Sequence, residues 1–399
     1  MSNVLHALRH HRGWERRTVA NRFAVLSRRI IGQTVTIDER KISDWENGHS
    51  YTPLDHQILE AVFETEFDPP GISTTDNLKP PTQATQYQTE ELATRLEKTD
   101  ISSSTINLLN IHTDQVCRRY STDNGDILFA ESNTWLEKTM PLLKQSMSPN
   151  VRRDLMVAIG WLTAITACLA YDRGDATLAE TFRRNTHRLG WSADHAELQG
   201  WAKEIGAWMA LTQGQPTDAV KFATAGQSID GTACVAVQLA AQEARAWAQL
   251  GDRRASEAAM RKGNAKLRRL PIPANTNHHF VVDPAKADFY AVDCYRSLGL
   301  FDTAKEYALR VLQHSEKIDG TIDAPMRRSE ALLTLGLVSA EEGDLDSAVA
   351  YGLSGLGDPR KCLPSLLNAA NDLNKALLKH KKAHPARQWH EALHSVTQS

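Results

Sequence analysis

The most reactive-looking string in this 399-residue chain is His390-Glu391-Ala392-Leu393-His394, an H-E-x-x-H spacing. On a helix, two histidines four residues apart share a face and can share a zinc ion, with the glutamate as general base. Its flanks are polar and no further ligand follows before Ser399, so the expectation is a chance match and no metal site. His278-His279, in the long stretch 271–284, is the other pair with ligand chemistry, and a solvated loop is expected there. Asn368, Asn371 and Asn374 place three amides at i, i+3 spacing. Such amides offer a donor and an acceptor each to the backbone of an extended peptide, which makes them the candidate ligand-binding residues. The competing reading is the plain polar face of an amphipathic helix. No dinucleotide-binding glycine fingerprint, Walker loop or G-x-S-x-G elbow is present, so nucleotide hydrolysis and serine-hydrolase chemistry lack a footing. The expectation is a protein that is not an enzyme and carries no cofactor.

The elements that would position these residues are helical. From about residue 103 the apolar period is that of a helix nearly everywhere. Within it a turn glycine recurs with a small residue five positions later: Gly174/Ala179, Gly214/Ala219, Gly251/Ser256, Gly299/Ala304 and Gly343/Ala348. Seven positions before each glycine stands another residue of modest size: Ala167, Ala207, Ala244, Val292 and Gly336. Two antiparallel helices joined by a tight turn approach closely only where small side chains face each other, and glycine ends the first helix in the left-handed conformation. One hairpin cannot bury its own apolar face, so several must stack. The copies are 37–48 residues apart, and over about 150–360 they resemble degenerate tetratricopeptide (TPR) repeats.

Charge is balanced overall, 46 Lys+Arg against 48 Asp+Glu, but unevenly placed. Residues 1–43 hold nine Lys/Arg and three Asp/Glu, while 44–70 hold seven acids and no Lys or Arg. Binding responds to the local field, so this asymmetry outweighs the net figure. Pro, Thr and Gln from 68 to 102 mark a linker, with a short helix expected near Glu90–Leu96. The five cysteines form no CxxC pair and read as small buried hydrophobes of a reducing compartment. No run of about 18 consecutive apolar residues and no secretory leader is seen, so a cytoplasmic protein without membrane contact is expected.

Residues 3–13, 15–31 and 39–48 read as short amphipathic helices, and Pro53 begins a fourth. Asp38 fits the cap of the third. Ile42-Ser43-Asp44-Trp45-Glu46-Asn47-Gly48, followed by Pro53, resembles the recognition-helix region of Xre/Cro-type helix-turn-helix domains; Gly13-Trp14 leading into Val19-Ala20 resembles that family's second-helix start. The resemblance covers about residues 3–67. It implies base readers at Glu39, Arg40, Ser43 and Asp44, and phosphate contacts at Arg16, Arg17, Lys41, His49 and Tyr51. Arg16 replaces a Gln common in the family, and about ten extra residues near Ser27–Val35 expand the turn after the second helix.

With its repeats, the chain is similar to actinobacterial helix-turn-helix/tetratricopeptide regulators and, in architecture, to the peptide-responsive Rap–NprR–PlcR group. The expected organisation is all-α: 1–67 a helix-turn-helix domain, 68–102 a linker, and 103–398 a TPR-like solenoid. The resemblance implies a transcriptional regulator on double-stranded DNA, a homodimer whose solenoid senses a peptide, small molecule or partner as in quorum sensing. The alternative is a TPR-like adaptor whose helix-turn-helix binds no DNA.

Overall fold

The computed structural model describes residues 4–31, 34–47, 49, 52–63, 103–229, 233–270, 278–282, 284–316, 322, 324–357 and 362–398. Among them regular structure is helical: eighteen α-helices, one short 3-10 helix, and an isolated bridge between Glu316 and Ile322. Contacts divide the chain into two units, Met1–Thr85 and Gln86–Ser399. The expected linker and its short helix lie outside the described residues.

The first unit contains α1 (Val4–His11), α2 (Arg16–Ile31), α3 (Glu39–Glu46) and α4 (Pro53–Phe63). Their apolar stripes converge on one core that includes Leu5, Phe23, Ile42, Trp45, Ile58 and Phe63, all buried. Asp38 caps α3 as its position suggests, its carboxylate accepting from the Lys41 amide at 2.8 Å.

The second unit opens with α5 (Ser103–Arg119) and α6 (Gly125–Thr139). Hairpins follow: α7 (Pro149–Asp172) with α8 (Ala176–Ser192), α9 (Ala196–Thr212) with α10 (Pro216–Gln227), and α11 (Ala233–Gln249) with α12 (Arg253–Leu267). The array continues through α13 (Pro284–Ser297) with α14 (Phe301–Ser315), α15 (Pro325–Glu342) with α16 (Leu345–Gly357), and ends in α17 (Leu363–Leu378) and α18 (His384–Gln398). Odd-numbered helices from α7 to α17 touch one another in sequence and form an inner layer; the even-numbered helices lie outside them.

All five repeat glycines adopt positive φ, between 70° and 89°. At each turn the amide after the glycine donates to the carbonyl five residues back, as Asp175 does to Ala170 (3.0 Å) and Asp344 to Ser339 (2.9 Å). This left-handed closure satisfies carbonyls that the helix end leaves open. Three of the turns place Asp next, and it caps the following helix: Asp175 accepts from the Leu178 amide, Asp252 from Ala255 and Asp344 from Ser347. The Gly-Asp pairs thus stop one helix and start the next. Every partner small residue is buried, from Ala179 to Ala348.

Between α15 and α16 the backbones themselves approach closely: a Cβ on Gly336 would fall 2.8 Å from the Ala348 carbonyl oxygen. Backbone cannot swing aside like a side-chain end, so Gly336→Ala should separate α15 from α16 and cost about 1–3 kcal/mol. Urea denaturation measures it, and an unchanged midpoint would refute the close approach.

Helix α7 corrects one expectation. An 18-residue window of it has mean hydropathy 1.6, long and apolar enough to span a bilayer, yet 78% of that window is buried inside the repeat unit. It is the core helix that α5, α6, α8, α9 and α17 cover.

Candidate functional site

The inner layer curls until its last member meets its first ones. Trp208 Nε1 of α9 donates to Ser365 Oγ of α17 at 3.1 Å, and Asn368 Nδ2 donates to the Thr212 carbonyl at 3.3 Å. Two cavities, of about 520 and 750 Å³, lie along the surface so enclosed and share Arg245, Glu330 and Ser365 as wall. The smaller is flanked by Trp208, Phe289, Tyr290 and Met326. The larger is lined by Asn368, Asn371 and Asn374, of which Asn368 and Asn374 are half-buried and Asn371 is exposed.

Between the cavities runs a network of buried polar side chains. Gln238 and Gln242 of α11 donate to Glu204 Oε1 of α9 at 3.2 and 2.6 Å. Gln238 also contacts the Tyr290 hydroxyl. Arg245 donates through Nη1 to Gln242 (3.0 Å) and through Nε to Asp293 of α13 (2.5 Å). Arg296 meets the other Asp293 oxygen and reaches Thr334 of α15 at 3.4 Å. Burial alone would push the Asp293 carboxyl up, but its two guanidinium partners hold it below the usual range. Burial raises Glu204, against the two amide bonds that lower it. Glu330 is pushed up to about 7 by burial, opposed by Arg245 and Arg296 and reinforced by Asp293 and Asp172.

None of this network was singled out from the sequence, although a signal exists. Counted back from the turn glycine, positions six, nine and thirteen hold Arg245, Gln242 and Gln238 before Gly251, and Asp293, Tyr290 and Lys286 before Gly299. Before Gly343 the last two are Thr334 and Glu330. These offsets are one helical face, and polar residues on it in consecutive copies mark a polar inner surface.

The histidine pair also needs correcting. Residues 278–282 are not a solvated loop: Phe280 and Val282 are buried in the main core, Phe280 against Trp161 and Trp201. His279 donates its amide to the Cys117 carbonyl at 3.0 Å, and Lys286 Nζ fastens the segment through the His279 and Val281 carbonyls. Both histidines therefore edge the smaller cavity. His390, Glu391 and His394 lie exposed on α18, and among the described residues no three His, Cys, Asp or Glu side chains gather as a metal site. Cys117, Cys168, Cys294 and Cys362 are buried thiols and Cys234 is half-buried.

In the first unit, Glu39, Arg40 and Lys41 are exposed at the start of α3, above buried Ile42 and Trp45; Ser43 and Asp44 are half-buried. His49 contacts the Asp44 carbonyl at 3.0 Å. Tyr51 lies outside the described residues. Arg17 is exposed on α2, whereas Arg16 turns inward to Glu46 (Nη2–Oε2 2.8 Å). Arg9 joins it through Nε–Oε1 at 2.5 Å and donates to the Trp14 carbonyl at 2.8 Å. Glu46, read only as part of a motif, is thus the buried clamp that fixes α1 and α2 on α3. Burial would raise its carboxyl, but the two arginines bring it below the usual range.

No family model matches the chain, and no curated protein matches it.

Proposed function

We propose that the protein is a sequence-specific DNA-binding transcriptional regulator, working as a cytoplasmic homodimer, whose repeat unit senses an effector in its interior. The observation that carries the DNA-binding half is the division of α3: Ile42 and Trp45 anchor it, Asp38 caps it, and its first turn offers Glu39, Arg40 and Lys41 to solvent. A short helix anchored this way can enter a major groove N-terminus first. There Arg40 would take a guanine bidentately, while Glu39 would accept from a cytosine amino group. Arg17 and Lys41 would supply phosphate contacts. Arg16 would act chiefly by holding the helices together, since its guanidinium is engaged by Glu46. Two copies on a palindromic site would multiply the few contacts of one small unit.

The sensing half is supported by the two cavities and by Asn368, Asn371 and Asn374 on the wall of the larger one. An effector would act by binding one arrangement of the proposed dimer more tightly than another, so changing the spacing of its two α3 helices.

Selection from random duplex DNA by the full chain tests this reading. The expected result is an enriched motif bound with an affinity that falls steeply with salt. Arg40→Ala should relax discrimination at its contacted base by about 1–3 kcal/mol. No enriched motif would favour an adaptor instead, a reading supported by the Arg16 replacement and the acidic residues 44–70.

A further inference from the structure

Among the polar groups lining the repeat unit's interior, the hydrogen bonds leave over one buried donor, Arg296 Nε, which has Asp372 3.6 Å away, and acceptors at Glu330 and Gln238. Glu330 is 6% exposed, and among the described residues none donates a hydrogen bond to its carboxylate or forms an ion pair with it. It stands at the wall shared by both cavities. Gln238 Oε1, on the smaller cavity, is also buried without a partner. Glu204, Asp293 and Glu330 are the buried acids on the cavity walls, and Arg245, Arg296 and Lys286 the buried bases. Lys286 is committed to two backbone carbonyls, and both arginines are committed to Asp293. A buried acceptor left unpaired costs free energy that a ligand donor would restore, and a buried carboxylate is best matched by a cation.

We infer that the interior binds a ligand bearing a primary ammonium or guanidinium group, which docks on Glu330 while its apolar body lies against Trp208, Phe289 and Met326. The inference deepens the reading of the interior as an effector site and rests on it. An ammonium suits the place because its three donors can serve Glu330 and neighbouring acceptors together. The aromatic walls add attraction for a cation and cover for its alkyl stem.

Ionisation of Glu330 governs this contact. The groups facing it are Arg245 from α11, Asp293 and Arg296 from α13, Asp172 from α7 and the Cys362 thiol before α17. Arg327 on its own helix and His314 from α14 line the same cavity. With burial prevailing over the two arginines, the carboxyl titrates near neutrality, so protons compete with the cation.

The test uses the full chain and three matched probes: 4-phenylbutylamine, 4-phenylbutanol and 4-phenylbutyrate, titrated by tryptophan fluorescence and thermal shift. The amine should bind at least tenfold more tightly than the alcohol, and the carboxylate weakest. Between pH 8 and pH 6 the amine's affinity should fall by about tenfold, following the fraction of ionised Glu330. Glu330→Gln, which keeps the side chain's shape, should remove both the preference and the pH dependence while the melting transition stays cooperative. Should Glu330→Gln not fold, the wild-type probe ranking and its pH dependence decide alone. Equal or better binding of the alcohol or carboxylate overturns the cation inference and leaves the interior an effector site. Binding by none of the probes overturns the inference together with the small-molecule form of the sensing reading.

Discussion

Glu46→Ala should unfold the first unit and leave the repeat unit standing. The substitution strands two guanidinium groups that now share one buried carboxylate, Arg9 at 2.5 Å and Arg16 at 2.8 Å. Removing one partner of a buried pair costs about 3–5 kcal/mol, because the remaining charge loses its counter-ion and does not regain water. Arg16 is 38% exposed and recovers part of its hydration, but Arg9 is only 11% exposed and cannot. The first unit, whose four helices lie between Val4 and Phe63, buries a modest share of its surface and holds only a few kcal/mol in reserve. The loss is therefore comparable with everything it has. Calorimetry of the full chain should show the repeat transition at its wild-type temperature and the smaller transition gone. NMR resonances of Trp14 and Trp45 should collapse toward unfolded positions. Glu46→Gln keeps one acceptor oxygen and should fall between the two. Wild-type melting of both units in Glu46→Ala would show that the carboxylate is not the clamp.

The same residue shows what could be read in the chain and what could not. Periodicity, caps and turn glycines are local: each follows from residues within one or two helical turns, so the hairpins, the Asp38 cap and the left-handed glycines were legible. Small residues at fixed offsets from Gly174 through Gly343 carried the pairing of helices as well. What was not legible depends on which face of one helix meets which face of another far along the chain. Glu46 meets Arg9 across 37 residues, and Trp208 meets Ser365 across 157. An acid in an exposed-looking motif and a serine after a proline announce nothing about such partners. The histidine pair was misjudged for a related reason. His278 and His279 are polar and sit in a long insertion, but Phe280 and Val282 beside them have a core to fill and draw the segment inward. The inner polar face was missed because polar residues in a helix are normally the outer face; only a closed superhelix makes them interior.

A flat pH profile of stability should hide two opposed slopes in the repeat unit. His112 is buried between α5 and α6, its ring stacked on Trp135 at 4.0 Å with planes 5° apart and neither ring nitrogen hydrogen-bonded. Burial, with Arg119 nearby, pushes it from 6.5 down to about 3. Glu131 lies 3.5 Å away but is occupied by Arg119, so the contact joins a neutral imidazole to a paired carboxylate. The unfolded chain takes up this proton near 6.5 and the folded chain refuses it until about 3. Stability from His112 is therefore whole above pH 6.5 and drains away as pH falls, by about 3 kcal/mol at pH 4.5 and about 4 kcal/mol near pH 3. Glu330 runs the other way. Its folded form holds a proton up to about 7, against 4.5 unfolded. Its contribution is thus whole below pH 4.5 and lost by pH 7, about 3 kcal/mol in all. Over pH 7 to 4.5 the two nearly cancel. His112→Phe, which preserves the stack, should make the protein gain stability relative to wild type as pH drops through that window. Glu330→Gln should make it lose stability relative to wild type over the same range, having been the more stable of the two at pH 8. Urea midpoints for the three proteins at pH 8, 6 and 4.5 measure the slopes, and parallel profiles would refute both assignments. The excess stability of Glu330→Gln at pH 8 is the cost the native interior carries in keeping a charge without a partner, and a bound cation is what would offset it.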